Sequence, residues 1–249
     1  MSHEVRDSYD ANAGLYARFA LDDLDRVHTD RAWLARFAEL TDLRDGAVAD
    51  LGCGPGHIVD HLTDLGVAAT GYDISPEMIA EARCAFPDSE FHVGDLGALD
   101  IATSSLAGIV SRYSLIHVPP AELDGIFREW FRVLAPGAPL LVSFFAASSA
   151  GTHGSPFDHA IVTAYALFSP TIAVGLQQAG FVDSELGTRP PLDGERALDH
   201  GTILARRGAR PISTGVGPQL IRRGGCGFRA TAPPSTSAGH AANGIQPRR

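Results

Sequence analysis

The sequence predicts an α/β fold, a doubly wound and mostly parallel sheet covered by helices on both faces. Three observations predict it. Strand-like and helix-like segments alternate from residue 46 to 145, alternate glycines interrupt the first strand-to-helix junction, and one later segment has a clear 3.6-residue apolar period. Two helices come first. In one, Tyr9, Ala13, Tyr16 and Ala20 recur at helical spacing; in the next, "TDRAWLARFAEL", Trp33, Leu34, Phe37 and Leu40 share a side, with Thr29 or Asp30 as cap. "AVADL" (47–51) reads as a buried strand and "HIVDHLTDL" (57–65) as the helix after it. "AATGYD" (68–73) is a second strand, followed by "SPEMIAEARCAF" (75–86), a helix with Ser75 as N-cap and Pro76 at its first position. "FHVGD" (91–95) and "GIVSRYS" (108–114) are further strands.

Leu123, Ile126, Phe127, Trp130, Phe131 and Leu134 mark the helix of clearest period, and "APG" (135–137) turns it into the strand "PLLVSFF" (139–145). Right-handed crossovers between such units place ligands beyond the carboxyl ends of the strands. Residues 146–169 show no strong period and read as an irregular lid over that edge. The helix "PTIAVGLQQAG" and two strand-like runs, near 181–188 and 201–206, close the domain. Residues 208–249 hold thirteen Gly or Pro among few apolar groups and are expected to be a disordered tail. Three regions follow: an N-terminal helical cap over 1–45, a ligand-binding domain over 46–207 containing the 146–169 lid, and the tail.

Composition narrows the function. The chain is 45% hydrophobic and 20% charged, as for a globular enzyme, and no apolar run approaches the roughly 20 residues that span a bilayer. With the polar opening "MSHEVRDSYD", this leads to the expectation of a cytoplasmic protein without membrane contact. Cys53, Cys84 and Cys226 form no CxxC pair, which argues against disulfides and structural zinc. The net charge is −9; removing the six arginines of 208–249 leaves −15 on residues 1–207, a balance that disfavours nucleic acid. All twenty basic residues are arginine.

"ADLGCGPG" (49–56) sets an acid before Gly52, Gly54 and Gly56. A bare turn rarely needs three alternate glycines, and a dinucleotide site uses G-x-G-x-x-G rather than G-x-G-x-G. A sulfonium nucleoside, S-adenosylmethionine (SAM), fits better: its cationic sulfur and ammonium favour the Asp50 carboxylate, where a pyrophosphate would be repelled.

Here the sequence resembles the Rossmann-like class I SAM-dependent methyltransferases, in their small-molecule branch. The family's acid-G-x-G-x-G is matched by Asp50, Gly52, Gly54 and Gly56, and its ribose-holding acid at the end of strand two by Asp73. Asp95 and Leu96 stand where the family holds adenine. "VLAPGAPLLVSF" matches the turn into strand five, with Ala138 where a glycine is usual, and "YSLIHVPP" also fits this branch. "YDANAGLYA" loosely matches the family's N-terminal helix. The resemblance implies SAM as cofactor, held by these residues together with Ile74, Met78 and Ser111, and a small-molecule methyl acceptor. Tyr16 either closes over the methionine end or simply packs. It further implies methyl transfer by in-line displacement, in which alignment is the enzyme's main contribution. His117, just past strand four, is the candidate base if the acceptor must lose a proton, and otherwise a packing histidine. Tyr113 and Arg112 are further pocket candidates, and Arg112 suits an acidic acceptor. The alternatives are a non-catalytic SAM-binding paralogue and an NAD-dependent oxidoreductase.

His57 and His61 lie four residues apart, but Ile58 replaces the glutamate of the zinc-protease pattern, so a solvated helix face is expected rather than a metal site. "HGSPFDH" offers His153, Asp158 and His159 as a lid, a surface loop or a metal site. The basic tail reads as an anchor for an acidic partner or as an unselected extension. Oligomeric state has no sequence signal.

Overall fold

A computed structural model of the protein describes residues 3–209, apart from 22–23, 25–26 and 42–45; the expected tail lies outside the described residues. Helices α1 (His3–Ala20) and α2 (His28–Leu40) precede β1 (Val48–Leu51), α3 (His57–Asp64), β2 (Ala69–Asp73), α4 (Pro76–Ala85), β3 (Glu90–Val93) and β4 (Gly108–Arg112). Then come α5 (Leu123–Val133), β5 (Pro139–Ala146), β6 (Ser155–Asp158), β7 (Thr163–Ala166), α6 (Ser169–Ala179), β8 (Phe181–Arg189) and β9 (Asp199–Arg207).

The main sheet has seven strands in the order β3-β2-β1-β4-β5-β9-β8. The first five are parallel, whereas β9 runs antiparallel to β5 and β8 to β9. Every residue of β1 and β4 is buried, as parallel strands covered on both faces require. Chain direction reverses its sideways progress between β1 and β4, so the loops after these two strands part and leave a crevice at the switch point.

One face carries the apolar side of α5, with Leu123, Phe127, Trp130 and Phe131 buried beside α6. Trp130 is fully buried, and its indole N–H donates to the Leu96 carbonyl at 2.9 Å. On the other face Leu34 and Phe37 of α2 pack with Ile58 and Leu62 of α3 over Val48, Val110 and Leu141. A smaller cluster joins α3, α4 and β3 through Val59, Ile79 and Phe91. As expected, Ser75 caps α4: its hydroxyl accepts the Met78 N–H at 3.1 Å while Pro76 opens the helix. The same hydroxyl donates to Asp10 of α1 at 2.5 Å, which ties the N-terminal helix across the strand ends.

Two expectations are corrected. Neither Thr29 nor Asp30 caps α2, whose N-cap is Val27 with no side-chain bond. Asp30 instead is buried between Arg112 and Arg189, and the two guanidinium groups hold its carboxylate there rather than at the helix end. Residues 146–169 are not wholly irregular: β6 and β7 form an antiparallel hairpin from Ser155↔Ala166 to Asp158↔Thr163. Its strands are only four residues long, too short for alternation to stand out in the sequence.

Gly56 starts α3 at φ +90°, and a Cβ there would sit 2.7 Å from Phe91 Cζ and 3.1 Å from Ala82 Cβ. A left-handed L-residue costs about 1–2 kcal/mol, and overpacking adds about 1–3 kcal/mol. Gly56→Ala is therefore expected to lose roughly 2–5 kcal/mol of stability. Urea unfolding with an unchanged midpoint would show that the Phe91 ring yields freely.

Candidate active site

Two connected cavities open at the switch point. The smaller, about 40 Å³, lies between Gly52, Gly54, Asp73 and Leu96 on the sheet side and Tyr9 and Tyr16 of α1 on the other. The larger, about 250 Å³, runs from Asp50 and the start of α3 outward to Phe145, His159, Arg189 and Arg196. Tyr16, Gly52, Gly54, Arg112 and Tyr113 border both.

The glycine loop is shaped by the end of β2. Gly52 and Cys53 both donate N–H to the Tyr72 carbonyl, at 2.7 and 3.0 Å, and Gly54 donates to Asp73 Oδ2 at 2.9 Å. Asp73 Oδ1 accepts the Ser75 N–H at 2.9 Å. Burial raises the Asp73 carboxyl pKa, and these backbone bonds oppose the rise. Gly52 and Gly54 both have positive φ, and a Cβ at Gly52 would meet Ser114 Cβ at 2.3 Å. With loop N–H groups committed to β2, the open donors are the first N–H groups of α3, at His57 and Ile58, which border the larger cavity.

Asp50 is buried and its Oδ2 has no hydrogen-bond partner. Burial, against the pull of Arg112 and with a push from Asp73, brings its carboxyl up to about 7. A buried carboxylate oxygen facing a cavity without a donor is an electrostatic demand for a cation.

His117 is buried, with Nδ1 3.2 Å from the Thr163 carbonyl and Nε2 2.8 Å from Tyr9 Oη. A carbonyl only accepts, so Nδ1 carries the proton and Nε2 accepts the Tyr9 O–H. Burial and the adjacent His159 hold His117 down at about 4, so it is neutral near pH 7. Tyr113 is non-glycine at φ +56°, a conformation that aims it between the cavities, and its hydroxyl lies 2.6 Å from His200 Nδ1.

The Methyltransferase domain family model matches residues 48–137, spanning the glycine loop to the turn before β5. The chain is 26% identical over 215 residues to a demethylmenaquinone methyltransferase of Beutenbergia cavernae, covering 86% of this chain and 88% of that one. It is 46% identical to an Escherichia coli trans-aconitate 2-methyltransferase over 78 residues, 27% of this chain and 31% of that one. The fold is shared with magnesium protoporphyrin IX methyltransferase from Synechocystis with bound SAM: TM-score 0.61, 22% identity, 84% of this chain and 98% of that one.

Residues 48–137 thus match a methyltransferase domain, and the chain is similar to SAM-dependent methyltransferases.

The residues singled out from sequence separate into two sets. Gly52, Gly54, Asp73, Ile74, Leu96 and Tyr16 border the smaller cavity, as does His117, and Asp50 borders the larger. Gly56, Met78, Asp95 and Ser111 border neither. Gly56 makes room for Phe91, and Met78 is fully buried in α4. Asp95 Oδ1 accepts the Gly97 N–H at 2.8 Å, while its neighbours Gly94 and Leu96 face the cavity. Ser111 Oγ bonds Ser114 Oγ at 2.5 Å, and Ser114 donates to the Leu51 carbonyl, so the ends of β4 and β1 are tied together under the glycine loop.

His57 and His61 are half-buried rather than solvated, because α3 lies against the sheet and under Arg112 and Arg31. Burial holds His57 down at about 3, with Arg112 and His61 adding to the effect. Of "HGSPFDH", His153 Nδ1 accepts the Phe168 N–H and Asp158 closes the hairpin turn onto Ala160; His159 alone borders the larger cavity. Among the described residues, no three His, Cys, Asp or Glu side chains gather closely enough to hold a metal ion. No described helix is long and apolar enough to cross a membrane. Tyr9, His200, Glu195 and Arg189 were not anticipated as site residues. They come from the N-terminal helix and from the distant β8–β9 hairpin and its connecting loop, and no local pattern marks them.

Proposed function

We propose that this protein transfers the methyl group of SAM to a small-molecule acceptor by in-line displacement. The observation that carries the reading is Asp50 Oδ2, buried without a hydrogen-bond partner beside the glycine loop. When bound, SAM supplies a methyl group on a cationic sulfur. Asp50 faces that cation and the ammonium, and the Asp73 carboxylate accepts from the ribose hydroxyls. The first N–H groups of α3 take the methionine carboxylate. Ile74 and Leu96 flank the adenine, with Asp95 at its edge. Tyr9 and Tyr16 of the N-terminal cap, and the β6–β7 hairpin acting as lid, exclude water. The binding domain is the stretch 46–207, and the cytoplasm suits such chemistry.

His117 holds Tyr9 in place rather than acting as base, because its Nε2 lone pair is already engaged. The residues favour methyl transfer over NAD chemistry, since a carboxylate at Asp50 repels a pyrophosphate.

SAM binding is expected to tighten about tenfold between pH 6 and 8 and to release a proton near neutrality. The ionised Asp50 carboxylate binds the cation, and a group titrating near 7 goes from about a tenth to about nine-tenths ionised across that interval. His117 and His57, held at about 4 and 3, stay neutral throughout. Calorimetric titration in buffers of different ionisation enthalpy reads both quantities. NAD binding in place of SAM would refute the reading, and pH-independent SAM affinity would remove Asp50 from the cation.

A further inference from the structure

The arginines of the larger cavity point beyond cofactor binding. Arg112 and Arg189 border it with side chains only 5% and 12% exposed, and both are anchored from behind by Asp30, which does not line the cavity. Arg112 also lies 5.4 Å over the Tyr113 ring. A third guanidinium, Arg196, sits 5.3 Å over the Phe157 ring at the cavity mouth, and among the described residues no carboxylate pairs with it.

The acids nearby are committed. Glu195 accepts two N–H groups from Arg189, at 2.6 and 3.0 Å, and the Leu192 N–H at 2.6 Å. Burial pushes its carboxyl up, but these bonds outweigh it and bring it down to about 2. Asp50 points to the cofactor end. Arg189 is committed as well, its five N–H groups meeting Asp30, the Pro190 carbonyl, both Glu195 oxygens and His200, so the guanidinium left to meet an anion at the cavity mouth is Arg196, with Arg112 deeper along the same wall. At about 250 Å³ the cavity falls just below the usual range for ligand pockets, roughly 300–1,000 Å³.

Resting on the methyltransferase reading above, we propose that the acceptor is a small carboxylic acid bound as its anion by Arg196, with Arg112 deeper in the same cavity, and that the product is its methyl ester. A carboxylate oxygen forms the new bond to the methyl carbon as the carbon–sulfur bond breaks and its electron pair returns to sulfur. The acceptor's negative charge and the sulfonium's positive charge cancel, and no proton leaves. This chemistry needs no base, in keeping with a neutral His117 whose lone pair is occupied.

The test uses the full chain with citrate, glutarate and benzoate as probes, and hydroquinone and ethanolamine as uncharged and cationic controls. Calorimetry first reads SAM binding, then binding of each probe to the protein saturated with demethylated cofactor. Turnover is read with methyl-labelled SAM, since label in an ester is released as volatile methanol by base. At least one carboxylate is expected to bind and to yield base-labile label. Arg196→Gln should weaken its binding about tenfold, the loss of one charge-assisted hydrogen bond, and Arg196→Glu by more, with SAM affinity unchanged. A protein that binds SAM but neither binds nor methylates any of the three acids overturns the proposal, as does labelling of hydroquinone or ethanolamine in their place. Unaltered carboxylate affinity in both Arg196 variants also overturns it. Failure to bind SAM at the first step instead strikes the underlying reading, and the proposal falls with it.

Discussion

Replacing Asp73 with alanine is expected to weaken SAM binding by two to three orders of magnitude or more. Asp73 ends β2 and borders the smaller cavity, and on the proposed reading its carboxylate accepts both ribose hydroxyls. A hydrogen bond to a charged group contributes about 1.5–3 kcal/mol, so losing two costs roughly 3–6 kcal/mol, or about 150- to 20,000-fold. The substitution also frees the Gly54 and Ser75 N–H groups, which Asp73 now holds at 2.9 Å each, and so loosens the glycine loop. Asp73→Asn separates the two effects: its amide oxygen still accepts a backbone N–H, while the charge is gone. Calorimetry on both variants, with thermal unfolding of each without cofactor, distinguishes loop loosening from lost recognition. SAM held by Asp73→Ala as firmly as by the parent would mean that the ribose lies elsewhere.

Asp30→Ala is expected to be the most destabilising single change outside the apolar core. Asp30 is 5% exposed and accepts from Arg112 at 2.5 Å and from Arg189 at 3.4 Å, joining α2 to the ends of β4 and β8. Removing it leaves two buried cations facing each other, and breaking a buried pair typically costs about 3–5 kcal/mol. For a domain of this size that is a fall in Tm of roughly 6–20 °C. A drop below about 2 °C would show that water or Glu195 compensates the guanidinium groups. The double variant Asp30→Leu/Arg112→Met should regain much of the loss, since an apolar pair of similar volume is often neutral in place of a buried ion pair.

The parts of this molecule readable along the chain are those whose cause is local. Alternating apolar runs and the period of α5 announced the parallel strands and their crossovers, and Ser75 with Pro76 marked the start of α4, because pleat, helix period and caps act over a few residues. The places of Asp50 before the turn of Gly52 and Gly54, and of Asp73 at the close of β2, were legible for the same reason: a strand that ends in a tight turn needs glycine where φ is positive.

What distant segments settle together was not legible. Gly56 looks like a third ligand-facing glycine, but the Phe91 ring occupies its missing side chain. Asp30 looks like a cap until Arg112 and Arg189 arrive from strands 82 and 159 residues away. His117 looks like a free base until Tyr9 and Thr163 take its two nitrogens. Such roles depend on which polar groups are brought together out of water, where an unpaired charge or lone pair is costly. A one-dimensional pattern carries the identity of those groups but not their encounters, and the packing of the sheet, α1 and the outer strands decides them.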